Sequence, residues 1–143
     1  MTISPKTLPR TTTRRPKASR SPRNVESSIQ AAIVAWVRLV APQCLIFACP
    51  NGGYRTKAEA AKLKWTGTLA GVPDLILVDE HGLIYFLEVK QVDGRLSDVQ
   101  CEFRDLCRKR RWPWAMVTSI NDVRDQLAAW NIRTRESTRG GTT

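Results

Sequence analysis

One histidine and four cysteines are the only imidazole and thiol ligands in this chain of 143 residues. Cys44, Cys49, Cys101 and Cys107 form no C-x-x-C pair and His81 stands alone, so the paired spacing that a zinc site needs is missing. Reduced cysteines packed in or near a core are expected, and a disulfide scaffold is not, because no secretion signal accompanies them. No apolar block follows the first positive charges. No apolar run approaches the roughly 18–20 residues of a membrane span. The longest, Ile29 to Val40, is broken by Gln30 and Arg38. No internal repeat is visible. The expectation is a cytoplasmic domain with no membrane partner.

Acids are also scarce: 13 Asp and Glu against 23 Lys and Arg, a net charge of +10. The imbalance is local. Residues 1–24 carry Lys6, Arg10, Arg14, Arg15, Lys17, Arg20 and Arg23 and no acid. They are rich in Ser, Thr and Pro, bury too little apolar surface to offset their ordering entropy, and read as a disordered basic tail. Residues 131–143, with Arg133, Arg135 and Arg139 against Glu136, read as a flexible C-terminal tail. The stretch 25–130 between them is nearly neutral and is the folded domain. Such charge points to an anionic partner, with the tail adding affinity by counterion release or serving as a solubility device.

Within that stretch the periodicity predicts an α/β domain, in the order αβαββαβα. Asn24 can cap a helix from Val25, with Ile29, Ile33, Trp36, Val37 and Val40 at helical spacing and Pro42 ending it. Leu45 to Ala48 reads as a short buried strand. Asn51-Gly52-Gly53 marks a turn. Thr56 with Glu59, and Ser97 with Gln100, are capping-box patterns that open helices to about Trp65 and Arg110. Asp74–Asp79 and Leu83–Lys90 read as a hairpin around Glu80-His81-Gly82. Trp114–Thr118 is a last strand, and Ser119 caps a last helix. A mixed central sheet of about four strands flanked by helices follows.

The residues that break this pattern are the candidates for chemistry. Leu83 to Val89 is apolar on both faces except for Glu88, and Lys90 follows two residues on, so both project from one face. In a hairpin turning at 80–82, Asp74 falls opposite Glu88. Like charges directly opposite are destabilising, and a divalent cation is the natural remedy. Glu26 lies along the edge of the buried stripe of the first helix and Gln100 on the apolar face of the third, both able to reach that sheet end. Each alone has a plain structural explanation: a helix-dipole acid, a capping glutamine, a strand-end ion pair. Together they form an oxygen-rich site suited to Mg²⁺ or Mn²⁺, with Arg55, Lys57, Lys62, Lys64 and Arg95 near enough to grip phosphates.

Pro73-Asp74 followed by Glu88-Val89-Lys90 resembles the PD-(D/E)xK nuclease signature. The surroundings sharpen it. Asn51-Gly52-Gly53-Tyr54-Arg55, Glu59 to Lys64, Gly67, Gly71 to Leu75, Glu88 to Lys90 and Leu96 to Gln100 occur in order. This succession resembles the VRR-NUC family, the virus-type replication-repair nuclease domain, over about residues 25–130. The resemblance implies a restriction-endonuclease-like core and a Mg²⁺- or Mn²⁺-dependent, structure-selective DNA nuclease, of the stand-alone type found in phages and bacteria. It implies Asp74, Glu88 and the Val89 carbonyl as metal ligands, Lys90 as the catalytic lysine, Glu26 acting on a metal or its water, and Gln100 positioning the lysine or the phosphate. Asn51, Gly52, Gly53, Tyr54, Arg55, Lys62, Lys64 and Arg95 are the expected DNA-binding residues. Stand-alone relatives further suggest a homodimer cutting branched DNA such as Holliday junctions. The competing reading is a non-catalytic DNA-binding accessory that keeps a nuclease fold.

Overall fold

The computed structural model describes the backbone of residues 22–50 and 55–136. The basic segment read as a disordered tail lies outside it as far as residue 21, and so does the Asn51–Tyr54 turn. Four helices, α1 (Pro22–Val40), α2 (Lys57–Trp65), α3 (Asp98–Arg110) and α4 (Ile120–Ala129), alternate with strands β1 (Leu45–Ala48), β2 (Leu75–Val78), β3 (Ile84–Val89) and β4 (Trp114–Val117) in the expected order αβαββαβα. The strands form one mixed sheet ordered β1-β2-β3-β4. β1, β2 and β3 run antiparallel in turn, and β4 joins β3 in parallel through the α3 crossover.

Strand alternation sorts the sheet's two faces. Ile46, Leu75, Leu77, Tyr85, Leu87, Val89, Ala115 and Val117 point to one side, where Ile33, Val37 and Val40 of α1 and Val123 and Leu127 of α4 close the core. The other side carries Phe86, which meets Phe103 of α3 edge to face at 5.2 Å, and beyond it Asp74 and Glu88. Asp74 itself stands one residue before β2. The Leu75↔Leu87 pairing places it opposite Glu88, as the hairpin predicts.

Three local readings change. α1 starts at Pro22, so Asn24 sits inside the helix instead of capping it, and its backbone carbonyl accepts from Ser28 Oγ at 2.7 Å. Proline's fixed φ suits a first turn, where its missing N–H is not needed. β1 is an edge strand and not a buried one: Ile46 is buried, but Leu45 is 62% and Phe47 40% exposed on the same face as Phe86, at an edge that α3 does not extend to. Finally, the packed unit runs past residue 130. Ile132 is buried, Arg135 N–H donates to the Val40 carbonyl at 2.7 Å, and Glu136 accepts from Arg124 at 2.8 Å. No helix among the described residues is long and apolar enough to cross a membrane.

Chain direction then fixes where a site can form. β1 ends, β2 begins and β3 ends at the same edge of the sheet, so the loops to α2, from α2 and to α3 all meet there. The N-terminal turns of α1 lie at that end too, because α1 delivers its C-terminus to the start of β1.

Candidate active site

Glu88 is the one buried charged side chain among the described residues, 1% exposed at the end of β3. A buried carboxyl needs partners. Lys90 Nζ lies 2.9 Å from Glu88 Oε1, and Gln100 Nε2 donates to the same oxygen. Gln100 does this while its Oε1 accepts the Ser97 N–H at 2.8 Å and its own N–H points to Ser97 Oγ at 3.4 Å. The capping box and the site contact are therefore one side chain. The cap fixes the first turn of α3, and the amide spans from that turn to Glu88. Asp74 Oδ2 accepts the Val89 N–H at 2.9 Å, which holds the loop end of β2 against the end of β3.

The electrostatics follow from burial. Removal from water pushes Glu88 up to about 7, with the charges of Asp74 and Glu26 adding and Lys90 opposing. Burial raises Asp74 as well, against the Val89 hydrogen bond and the Lys90 charge. For Lys90, burial alone would lower the pKa, but the Glu88 carboxylate and its neighbours outweigh it and hold the ammonium above its ordinary range. This is a pair of crowded, dehydrated carboxyls with one cation beside them. Its donor set, hard oxygens with no nitrogen or sulfur, fits a hard divalent ion.

A stability consequence follows. A carboxyl raised in the folded state keeps its proton more tightly there. Its contribution is present below the ordinary pKa of 4.5 and is lost as pH rises through about 7. Without divalent ions, Tm is expected to fall from about pH 5 to pH 8, by the equivalent of up to about 3 kcal/mol. Glu88→Gln should flatten that slope in thermal scans across the range. An unchanged slope would remove Glu88 as its source.

A groove of about 900 Å³ opens beside the pair, lined by Arg55, Leu63, Lys64, Gly71, Asp74 and Gln100. Its outer wall is α2, which has no buried residue and is held by its own Thr56–Glu59 capping box. Its inner wall is the first turn of α3.

Residues 13–121 match the VRR-NUC domain family. The chain belongs to that family. Two solved structures share the fold of this VRR-NUC protein. One, described as a VRR-NUC domain, is 24% identical with a TM-score of 0.52, over 73% of this chain and 95% of its own. The other, described as a VRR-NUC domain protein, is 22% identical with a TM-score of 0.55, over 76% and 87%. No curated protein matches. Family membership makes this a nuclease-type domain with DNA as its class of substrate.

The fold of this VRR-NUC domain brings Asp74, Glu88, Lys90 and Gln100 together and places Val89 beside them. Glu26 acts on the pair through space, but no three His, Cys, Asp or Glu side chains among the described residues are gathered closely enough to hold a metal. The expected third carboxylate is thus set back, because α1 belongs to the opposite layer of the sheet. Arg55 and Lys64 line the groove, whereas Lys62 and Arg95 are exposed outside its lining. Asn51, Gly52, Gly53 and Tyr54 lie outside the described residues. Sequence reasoning missed Cys49, whose N–H donates to the Asp74 carbonyl at 2.8 Å, and the packing role of Gly71. A glycine just before Pro73-Asp74 was the available signal for the second.

Proposed function

We propose that this protein is a divalent-metal-dependent nuclease hydrolysing DNA phosphodiester bonds, an endonuclease acting on branched DNA such as Holliday junctions during phage or bacterial replication, recombination or repair. The observation that carries this reading is half-buried Asp74 opposite buried Glu88, with Lys90 Nζ 2.9 Å from Glu88. Asp74, Glu88 and the Val89 carbonyl would hold Mg²⁺ or Mn²⁺, with Glu26 acting through a water. When bound, such an ion supplies Lewis-acid activation of water and of a phosphate oxygen.

The rest is work for the chain's own residues. Lys90 keeps a positive charge where negative charge grows on the phosphate. Gln100 restrains the Glu88 carboxyl, and the Val89 N–H restrains Asp74. Arg55 and Lys64 on the groove wall, with Lys62, Arg95 and the Asn51–Tyr54 turn, grip flanking phosphates. A homodimer would set two such sites in two-fold relation, suited to paired cuts across a junction.

The test is a panel of end-labelled four-way junctions, flaps, nicked and intact duplexes with Mg²⁺, Mn²⁺ or chelator, each beside a Glu88→Ala control. Cleavage confined to the divalent lanes and absent from the control is expected, strongest on junctions. Added Mn²⁺ should also raise the Tm of the wild type at pH 8 and leave that of Glu88→Ala unmoved. Binding of every substrate with no cut in any metal would instead identify a non-catalytic DNA-binding protein.

A further inference from the structure

The far end of α3 carries a charge run that the site does not use. Arg108, Lys109, Arg110 and Arg111 close the helix, all exposed. Arg108 lies 3.7 Å from Asp105, which also pairs with Arg104 at 3.0 Å. Lys109, Arg110 and Arg111 make no ion pair among the described residues. The other acids at this end are engaged elsewhere. Asp79 holds the hairpin turn and the Tyr85 hydroxyl, and Glu80 faces His81 and Arg133.

Basic residues at a helix C-terminus suit the dipole, so position alone decides nothing. Arg111 goes further. It caps α3 with φ 59 and ψ 33, its N–H bonded to Arg108 O and the Trp112 N–H to Cys107 O, the closure at which glycine or asparagine is favoured. The chain uses Asn131 at the matching place after α4, with φ 58. After α3 it places a fourth consecutive cation in a conformation that a long side chain resists. Dipole neutralisation was already supplied by the three before it.

α3 runs from the site outward. Gln100 touches Glu88, and Arg110 stands ten residues on, about 15 Å along the axis. That is the rise of about four to five base pairs of duplex. We propose that Lys109, Arg110 and Arg111 form a second phosphate-binding patch that receives the backbone of a duplex DNA arm extending from the cleavage site along α3. The assignment rests on the nuclease reading for the identity of the polyanion. Consecutive positions on a helix diverge, so about two of the three side chains address one backbone at a time.

The experiment compares Arg110→Gln/Arg111→Gly with Arg133→Gln/Arg135→Gln, which removes the same charge elsewhere. Binding is read by fluorescence anisotropy in chelator, across a salt series, on duplexes whose arms are about 3 or about 12 base pairs long past the junction. For the long arm, the patch variant is expected to lose about tenfold in affinity at low salt and to flatten the log–log salt slope by about 0.9–1.8. It should match the wild type on the short arm, and the control should change the slope by under about 0.5. Tm should hold or rise, because glycine suits the Arg111 conformation. Equal losses in the two variants, or the same loss on both arms, would overturn the patch. Because binding is read without turnover, a wild type that shows the arm dependence but never cuts would sink the nuclease reading and leave the patch standing.

Discussion

Lys90→Met is expected to lower single-turnover cleavage by about 10²–10³-fold while DNA affinity stays within about threefold. The Lys90 side chain is only 12% exposed and lies against a carboxyl that is 1% exposed, so water cannot replace its charge at that spot. Methionine keeps the stem and its packing and removes only the ammonium. The same substitution leaves Glu88 buried without its cation, and an unpaired buried charge of this kind costs about 3–5 kcal/mol. Glu88 escapes that cost by taking a proton. Losing Lys90 removes the one cation that opposes its raised pKa, so the variant's stability should fall further behind the wild type as pH rises. Two readouts therefore separate chemistry from folding. At pH 6 the variant should approach wild-type Tm and still fail to cut; at pH 8 both Tm and cleavage should be low. Wild-type cleavage by Lys90→Met at either pH would remove Lys90 from the mechanism.

Much of this arrangement was legible because its determinants are local. The Asp74–Glu88 juxtaposition follows from the turn at Glu80-His81-Gly82 and strand alternation, since a hairpin register is set by its loop. Both capping boxes form as their Ser/Thr-x-x-Glu/Gln spacing predicts. What the sequence hid depends on contacts between distant elements. β1 looks apolar enough to be buried, yet it lies at the sheet edge beyond the reach of α3, leaving Leu45 and Phe47 exposed. α2 has a clean start signal, but nothing in Lys57–Trp65 reveals that it packs no side chain into the core and instead walls a groove. Gln100 offered a capping role and a site role as alternatives. The structure joins them, because the N-cap of α3 happens to stand one glutamine's length from Glu88. Ile132 looked like the start of a tail only because the segment after Trp130 has no periodicity of its own.

Gly71→Ala is the substitution away from the carboxyl pair expected to do most damage. At φ 81 the backbone of Gly71 is in the left-handed region, and a Cβ there would lie 2.2 Å from the Val99 carbonyl oxygen and 2.6 Å from its carbon. Neither is a side-chain tip that can swing aside. They are the first-turn backbone of α3, so either the Gly67–Pro73 loop or the helix must move. Left-handed strain of about 1–2 kcal/mol and overpacking of about 1–3 kcal/mol should together cost about 3 kcal/mol or more. The site reads the displacement directly, because both bodies being pushed apart carry its residues: Asp74 follows the loop and Gln100 follows Val99. Gly67→Ala supplies the comparison. Its φ of 96 imposes similar backbone strain, but nothing lies within 4 Å of the added carbon. It should cost about 1–2 kcal/mol in urea unfolding and keep its cleavage rate. If Gly71→Ala unfolds at the same urea concentration as Gly67→Ala and cuts as fast, then the close approach of the loop to α3 does not hold the site together. If instead Gly71→Ala loses more stability than Gly67→Ala and the rate falls only at Gly71, the catalytic geometry depends on a contact that no side chain makes.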